Sequence, residues 1–333
     1  MRRFTVVLMV LVLFLLSCGR SGKNRFSFPV ENLGPVSIVM RNYGQALFQA
    51  DTARLKDELI SMQADFIPFL DADLYDSANI QRIRDFVTDT NLRKLYNKSS
   101  ETFPESYGLY ERLIQSVRRY HRHFPGATIP DYYLYISGVQ HEAPVMADEQ
   151  SLVVAMDCYL GQDFIYYRQL GIPMYRIGRM TPDHMLSDIM SEMYAAYIEE
   201  VHETKTVLDE MIKAGKKLYF LEAMLPDLPE HILIGYASEQ HQWAKKHEGE
   251  LWAFYVGDQL LYSNDFLTIR KFFGDGPFTQ DFSTEAPARL GEWTGWQIVR
   301  KYAERNPEMS LAEIMKLDDS QDILSGARYK PKR

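Results

Sequence analysis

The sequence predicts an α+β fold that is predominantly α-helical and has a small central sheet. Apolar residues recur at three- and four-residue spacing through most of the chain, as on the buried face of amphipathic helices. Two short runs of strand-forming residues, 131–137 and 151–157, stand near the middle with a polar loop between them. No fixed-period repeat and no long Pro/Gly linker divides the chain, so a single folded domain is expected.

The first half is predicted to be mainly helical. Helical spacing runs through 36–48, 55–69 and 80–96, and an amphipathic helix is predicted over 103–123. The two strand-forming runs follow, and because only the polar loop 138–149 separates them, we expect neighbouring strands.

Helical spacing returns at Pro182 and dominates the second half. The helices predicted there cover 185–201, 206–224, 238–262 and 291–305. Thr206 with Asp209, and Ser310 with Glu313, have the spacing of capping boxes, so a helix is expected to begin at each pair. Residues 274–287 are predicted to form a loop.

The amino terminus has the layout of a bacterial lipoprotein signal peptide. Arg2 and Arg3 give a positive start, and the apolar run 4–16 that follows is too short to span a bilayer. Ser17 then precedes Cys18 in a lipobox-like string, in which the cysteine is acylated and becomes the first residue of the mature protein. The alternative is an ordinary signal peptide with a chance cysteine. The predicted divisions are a signal peptide 1–17, a tether 18–30 and a folded domain 31–333.

Composition restricts the partners. The formal net charge is −8 and becomes −10 when Arg2 and Arg3 are removed, which argues against nucleic acid and against a polybasic membrane-binding surface. Membrane attachment is therefore expected to depend on a multiply acylated Cys18. Cys158 is then the one cysteine left, and we predict a buried thiol with no intrachain disulfide. Gly19 is not the aspartate that retains lipoproteins in some inner membranes, which favours the outer membrane.

Several strings of the chain resemble the gliding-motility lipoprotein GldB family of the Bacteroidetes. They are LGQD at 160–163, TVLDEMIKAGKKLYF at 206–220, GYA at 235–237, PFT at 277–279, GEWTGWQIV at 291–299 and YKP at 329–331. The resemblance covers nearly the whole mature chain. It implies an exported, lipid-anchored envelope protein that works with other envelope proteins in gliding or in related secretion machinery.

That family is in turn distantly similar to predicted zinc proteases with a zincin-like fold. In those proteins a helix carries HExxH, where two histidines hold the metal and the glutamate activates water, and a later helix adds a third ligand. The matching positions here are Ser191, Glu192, Ala195 and, in the later helix, Ala214. Only Glu192 keeps its residue type, so the resemblance implies a zincin-like domain with a degenerate site, no metal, no cofactor and no catalysis.

Two other functions stay open. The chain could be a metallopeptidase or metal-binding protein that uses other residues, or a lipoprotein that binds a glycan or peptide in the corresponding cleft. Asp188, Glu192 and Glu199 share one helix face, and such an acidic stripe is predicted to be a solvated surface. The basic edge of the next helix could pair with this stripe if the two helices pack antiparallel; it consists of Lys213, Lys216 and Lys217.

The histidines do not show the spacing of a metal site. His241 and His247 are six residues apart on one predicted helix, which does not place both on the same face. His121 and His123 stand next to arginines, which indicates surface, and His141 in the polar loop would need further ligands to bind a metal. Tryptophans at helical spacing in the last third are predicted to belong to the core.

Overall fold

The computed structural model describes residues 25–30, 33–104, 107–200, 203–279, 282–283 and 285–332. The predicted signal peptide and Cys18 lie outside these residues. Phe26 and Val30, which the sequence assigns to the tether, are buried against the domain. The ring of Phe26 lies 5.3 Å from that of Tyr219 in an edge-on contact. The packed body therefore includes the chain from Phe26 onward.

Four short strands form one mixed sheet. They are β1 (Met40–Asn42), β2 (Asp131–Tyr135), β3 (Val145–Ala147) and β4 (Ser151–Ala155). Their order across the sheet is β1-β2-β4-β3. β1 and β4 both run parallel to β2, and β3 runs antiparallel to β4 at one end of the sheet. Tyr133 is central in the register, opposite Arg41 on one side and Val153 on the other.

Helices surround this sheet. They are α1 (Tyr43–Gln49), α2 (Leu55–Met62), α3 (Ser77–Thr88), α4 (Thr90–Thr102), α5 (Leu109–His123), α6 (Ile165–Gln169), α7 (Met174–Ile177), α8 (Pro182–Tyr197), α9 (Val207–Met224), α10 (Glu230–Ile234), α11 (Ser238–Lys246), α12 (Glu248–Gly257), α13 (Phe266–Phe273), α14 (Leu290–Arg305), α15 (Leu311–Lys316) and α16 (Ser320–Ala327). The predicted class, a mainly helical α+β domain with a small sheet, is confirmed.

Both faces of the sheet are covered, as parallel strands require. On one face, Tyr132 is fully buried and its hydroxyl lies 3.1 Å from the sulfur of Met193 on α8. On the other face, the ring of Tyr133 packs against Phe66 and Phe69, with ring centres 6.5 and 6.2 Å apart. α8 is thereby held directly beneath the sheet.

The prediction of strands was correct for β2 and β4 and missed β1 and β3. The helix predicted over 36–48 begins only at Tyr43, because residues 40–42 pair with β2 as a strand. β3 lies inside the predicted polar loop 138–149 and forms by pairing with β4. Both missed strands have three residues, so long-range pairing, and not local pattern, creates them.

Helix boundaries follow capping residues. The helix predicted over 80–96 is divided into α3 and α4 at Asp89, whose carboxylate accepts the N–H groups of Asn91 and Leu92 at 2.8 and 2.9 Å. The helix predicted over 238–262 is likewise divided, at His247. The capping boxes that begin at Thr206 and Ser310 are both confirmed.

α9 and α14 make the most extensive helix–helix contact of the described chain. They cross at Gly215 and Gly295, where the backbones approach so closely that no side chain fits between them. A Cβ on Gly215 would overlap the carbonyl of Gly295, and a Cβ on Gly295 would overlap the carbonyl of Met211. Trp293 and Trp296 flank this crossing and are fully buried.

Gly295→Ala is expected to lower the free energy of unfolding by about 3 kcal/mol, because the methyl group must force two backbones apart. Chemical denaturation followed by circular dichroism measures the change. The matched control is Gly257→Ala on α12, where the new methyl group meets open space and the change should stay within about 1 kcal/mol. Equal stabilities for the two variants would contradict the close crossing.

Candidate functional site

A cleft of about 480 Å³ lies between β3 and α8. β3 is the last strand of the sheet on this side, so its outer edge faces the cleft. The opposite wall is formed by α8, through Asp188 and, one turn later, Ser191 and Glu192. Glu192 reaches across to the strand, where its Oε1 accepts the N–H of Ala147 at 3.3 Å. The site therefore combines a strand edge with an acidic helix face.

Asp188 is the most perturbed carboxyl group of this cleft. The hydroxyl of Tyr159 donates to its Oδ2 at 2.7 Å. Burial raises the pKa of Asp188 to about 6, because an ionised carboxylate loses solvation there. The Tyr159 hydrogen bond lowers this pKa, and so do three nearby cations, Arg179, Lys217 and Arg289. The carboxyl group is thus partly protonated near pH 6.

The residues expected from the zincin resemblance do not all meet in this cleft. Ser191 and Glu192 line it. Ala195 is exposed to solvent, and Ala214 is half-buried on α9; neither contributes to the cleft wall. One turn before Glu192, on the same face, stands Asp188. The pair of positions four residues apart that faces the cleft is therefore Asp188 and Glu192.

The prediction of a solvated acidic surface is wrong for Asp188 and Glu192. The edge of the sheet lies opposite their face of α8, so that face is the wall of a cleft. The third member, Glu199, lies beyond the cleft and pairs with Lys213 at 3.8 Å. Tyr194 of α8 also contacts Phe220, farther along α9 than Lys213, with ring centres 5.2 Å apart. Together the two contacts show the antiparallel packing of α8 and α9 that the sequence left open. Lys216 is directed elsewhere, toward backbone carbonyl groups at the end of α15.

Asp275 connects three arginines at one end of the cleft. Its Oδ2 accepts from Arg179 Nη2 at 2.5 Å. Arg289 Nε lies 3.7 Å from Oδ1, and Arg176 Nε lies 3.8 Å from Oδ2. Asp275 and Arg179 also line a second, larger cavity. Their ion pair is therefore the boundary that the cleft and the cavity share.

The second cavity has a volume of about 750 Å³, enough for a small molecule. Three helices, α8, α11 and α14, begin at its wall. Their N-cap residues are Thr181, Ala237 and Arg289, and within the described chain none of the three makes a side-chain capping hydrogen bond. The positive ends of three helix dipoles thus converge on one space.

His184 belongs to the first turn of α8 and lines this cavity. The residue is only 5% exposed. Its Nδ1 lies 2.8 Å from the hydroxyl oxygen of Thr181, whereas its Nε2 is buried and has no hydrogen-bond partner among the described residues. Burial and the charge of Arg179 lower the pKa of His184 to about 4, so the imidazole is neutral near pH 7.

The other histidines of the described ranges lie apart from one another. Within the described ranges, no group of three or more His, Cys, Asp and Glu side chains could hold a metal ion. His241 pairs with a glutamate of α10, and His247 stacks on Trp243 with ring centres 4.2 Å apart. His123, expected at the surface, packs edge-on against Phe26 at 5.7 Å, so that expectation is wrong.

The predicted buried thiol is confirmed. Cys158 is 1% exposed, and burial raises its pKa, so it carries no reactive thiolate. The prediction that tryptophans belong to the core is confirmed for Trp293 and Trp296, while Trp243 and Trp252 are half-buried.

The sequence did not identify His184, Arg179 or Arg289 as site residues. The three come from separate segments, and His184 has no second histidine at helical spacing. One local signal was available, because Thr181 and Pro182 mark a helix start and therefore place His184 in its first turn.

Asp188→Asn is expected to remove one source of pH-dependent stability. The folded pKa of about 6 exceeds the ordinary value of 3.8, so Asp188 favours folding most below pH 4, and this contribution is lost as the pH rises through 6. As the pH rises from 4 to 7, the free energy of unfolding of the Asn variant should therefore increase by on the order of 2 kcal/mol relative to that of the parent protein. Urea unfolding across this range measures it. The control is Asp71→Asn, at an exposed position, whose free energy of unfolding should change with pH as that of the parent does. If the free energy of unfolding of Asp188→Asn also ran parallel to that of the parent, the shifted pKa would be contradicted.

Comparison with known proteins places the chain in a family. Over the described residues, none of the helices has the length and apolar character needed to span a bilayer. No curated protein and no solved structure is significantly similar to the chain. The family model described as gliding motility protein GldB matches residues 24–331, a range that contains both the cleft and the cavity. The chain therefore belongs to the GldB family of gliding-motility lipoproteins.

Proposed function

We propose that this protein is a lipid-anchored, non-catalytic lipoprotein of the cell envelope, placed in the outer membrane, that supports a protein assembly of the gliding or related secretion machinery. The observation that best supports the non-catalytic role is the wall of the cleft. Where a zincin-type protease would present its two imidazoles, this chain has Ser191, which lines the cleft, and Ala195, which is exposed outside it.

The environment within the cleft also disfavours a catalytic metal. His141 lines the same cleft, but its Nδ1 lies 3.3 Å from the guanidinium of Arg176, whose positive charge repels a cation. Glu192, the residue that would activate water, instead accepts the N–H of Ala147. Its carboxylate therefore supports the position of β3 and α8 relative to each other.

The short distance between Cys18 and the packed body supports a role close to the membrane. Six residues, 19–24, separate Cys18 from Arg25, so the chain between them spans at most about 25 Å. Arg25 is held to the body because its guanidinium donates to the carbonyl oxygen of Met309 at 2.9 Å. An acylated Cys18 would thus keep the domain near the bilayer surface, where other envelope proteins assemble.

Binding of an extended peptide is a second candidate function, favoured by the outer edge of β3. The inner side of β3 bonds to β4, while its outer side faces the cleft of about 480 Å³. Strand addition at such an edge is a common mode of peptide recognition. A peptide bound there would belong to the supported assembly, so this candidate refines the first.

Cys18→Ser is expected to move the protein from the membrane fraction to the soluble fraction and to abolish labelling with a radioactive fatty acid, because the acyl chains would have no attachment atom. Fractionation of cells that express each variant measures both. The control is Cys158→Ala, which changes the other cysteine and should keep labelling and membrane association. A membrane-bound, labelled Cys18→Ser protein would overturn the proposed anchor.

Glu192→Gln is expected to complement deletion of the gene as well as the parent does, because an amide oxygen can still accept the Ala147 N–H. Glu192→Ala removes that acceptor and should cost about 1 kcal/mol of stability. Protein purified without chelator should contain less than stoichiometric zinc. Stoichiometric zinc together with an inactive Glu192→Gln variant would overturn the non-catalytic proposal.

A further inference from the structure

The cavity beside the cleft has the features of a binding site, and its helix ends are the first of them. The opening N–H groups of a helix have no acceptor within the helix and carry a partial positive charge. Elsewhere in the chain, side chains such as Asp76, Asp89 and Asp265 cap helices. At the cavity, the N-cap side chains of α8, α11 and α14 make no capping hydrogen bond in the described structure, although the side chain of Gln240 accepts the N–H of Ala237 at the start of α11. The positive ends of three helices thus face one space.

His184 is the second, independent feature. Nearly all of its surface is buried, it lines the cavity, and its Nε2 has no hydrogen-bond partner in the described part of the chain. Leaving a buried polar atom unpaired costs about 1–3 kcal/mol. When the hydroxyl of Thr181 donates to Nδ1, Nε2 carries the proton and is a donor. A ligand with an acceptor oxygen would satisfy it.

The charges around the cavity limit the ligand to a monoanion. Arg179 and Arg289 line it, and both are already paired with Asp275. Asp163 and Asp183 lie at the exposed rim. A dianion would therefore be repelled by these carboxylates, whereas a single negative charge gains from the three helix ends and from the two guanidinium groups.

We propose that this cavity binds a small molecule through a carboxylate group, which accepts hydrogen bonds from His184 Nε2 and from N–H groups at the starts of α8, α11 and α14. The volume of about 750 Å³ leaves room for a polar body beyond the carboxylate, and the rim provides hydrogen-bonding partners for it, among them Gln162, Ser238 and Gln240. This site is separate from the cleft, and the proposal holds whether or not the protein is catalytic.

Isothermal titration calorimetry on the full-length lipoprotein in detergent tests the proposal with matched pairs of probes. The carboxylates are glucuronate and N-acetylglycine, and their neutral counterparts are glucose and N-acetylglycinamide. At least one carboxylate is expected to bind, with no binding by its neutral counterpart. The two carboxylates also distinguish a sugar acid from an amino-acid derivative as the source of the group.

Two variants locate the site. Ala237→Tyr places a ring at the exposed wall of the cavity and should weaken binding at least tenfold. The matched control is Ala195→Tyr, on an exposed face of α8 away from the cavity, and it should bind as the parent protein does. His184→Phe keeps the ring volume but removes Nε2, which should weaken binding about tenfold. Circular dichroism confirms that each variant is folded.

Several results would overturn the proposal. Absence of binding by both carboxylates at millimolar concentrations would do so, as would equal binding of a carboxylate and its neutral counterpart. Undiminished binding by folded Ala237→Tyr would show that the ligand lies elsewhere. Inorganic phosphate that binds more tightly than either carboxylate would contradict the assignment to a monoanion. None of these results bears on Cys18→Ser or Glu192→Gln, which test the proposed function.

Discussion

The crossing of α9 and α14 at Gly215 and Gly295 is the constraint on which the rest of the domain depends. With no side chain between the two backbones, the helices pack more tightly than ordinary ridges and grooves allow. α9 in turn packs antiparallel to α8, as the Lys213–Glu199 ion pair and the Tyr194–Phe220 ring contact together show. α14 begins at the cavity and α8 forms one wall of the cleft, so the glycine crossing sets the relative position of both sites.

A buried polar network fixes the other end of the same helix pair. Glu222 of α9 accepts from the indole N–H of Trp296 at 3.1 Å and from Arg300 Nε at 2.7 Å. Arg300 also donates to Glu230 of α10 at 2.7 Å. The imidazole of His241 on α11, whose Nε2 lies 3.2 Å from Glu230 Oε2, is the main reason that the pKa of Glu230 falls to about 2. These ion pairs join α9 and α14 to α10 and α11, which line the cavity.

The part of this structure that the sequence predicted is the part that local pattern determines. Capping boxes and apolar spacing located α9 and α15, and β-branched and aromatic runs located β2 and β4. β1 was missed because three residues carry too little pattern and acquire their conformation by pairing with β2. The cleft was missed for a related reason: a helical wheel places Asp188 and Glu192 on one face, but only the position of β3 makes that face a wall. The cavity residues are further still from local pattern, since Arg179, His184 and Arg289 meet only through the packing of α8 against α9 and of α9 against α14.

The two carboxyl groups on α8 show how two acidic side chains one turn apart are accommodated in the wall of a cleft. Two ionised carboxylates one turn apart, partly removed from solvent, would repel each other. Burial raises the pKa of Asp188, while the hydrogen bond from Tyr159 and the positive charge of Arg179 stabilise its ionised form. The carboxylate of Glu192 accepts a backbone N–H of β3. Each carboxyl group therefore has its own protein partner. A wall satisfied in this way is suited to a protein that holds its shape beside partners, which is the role proposed for this lipoprotein.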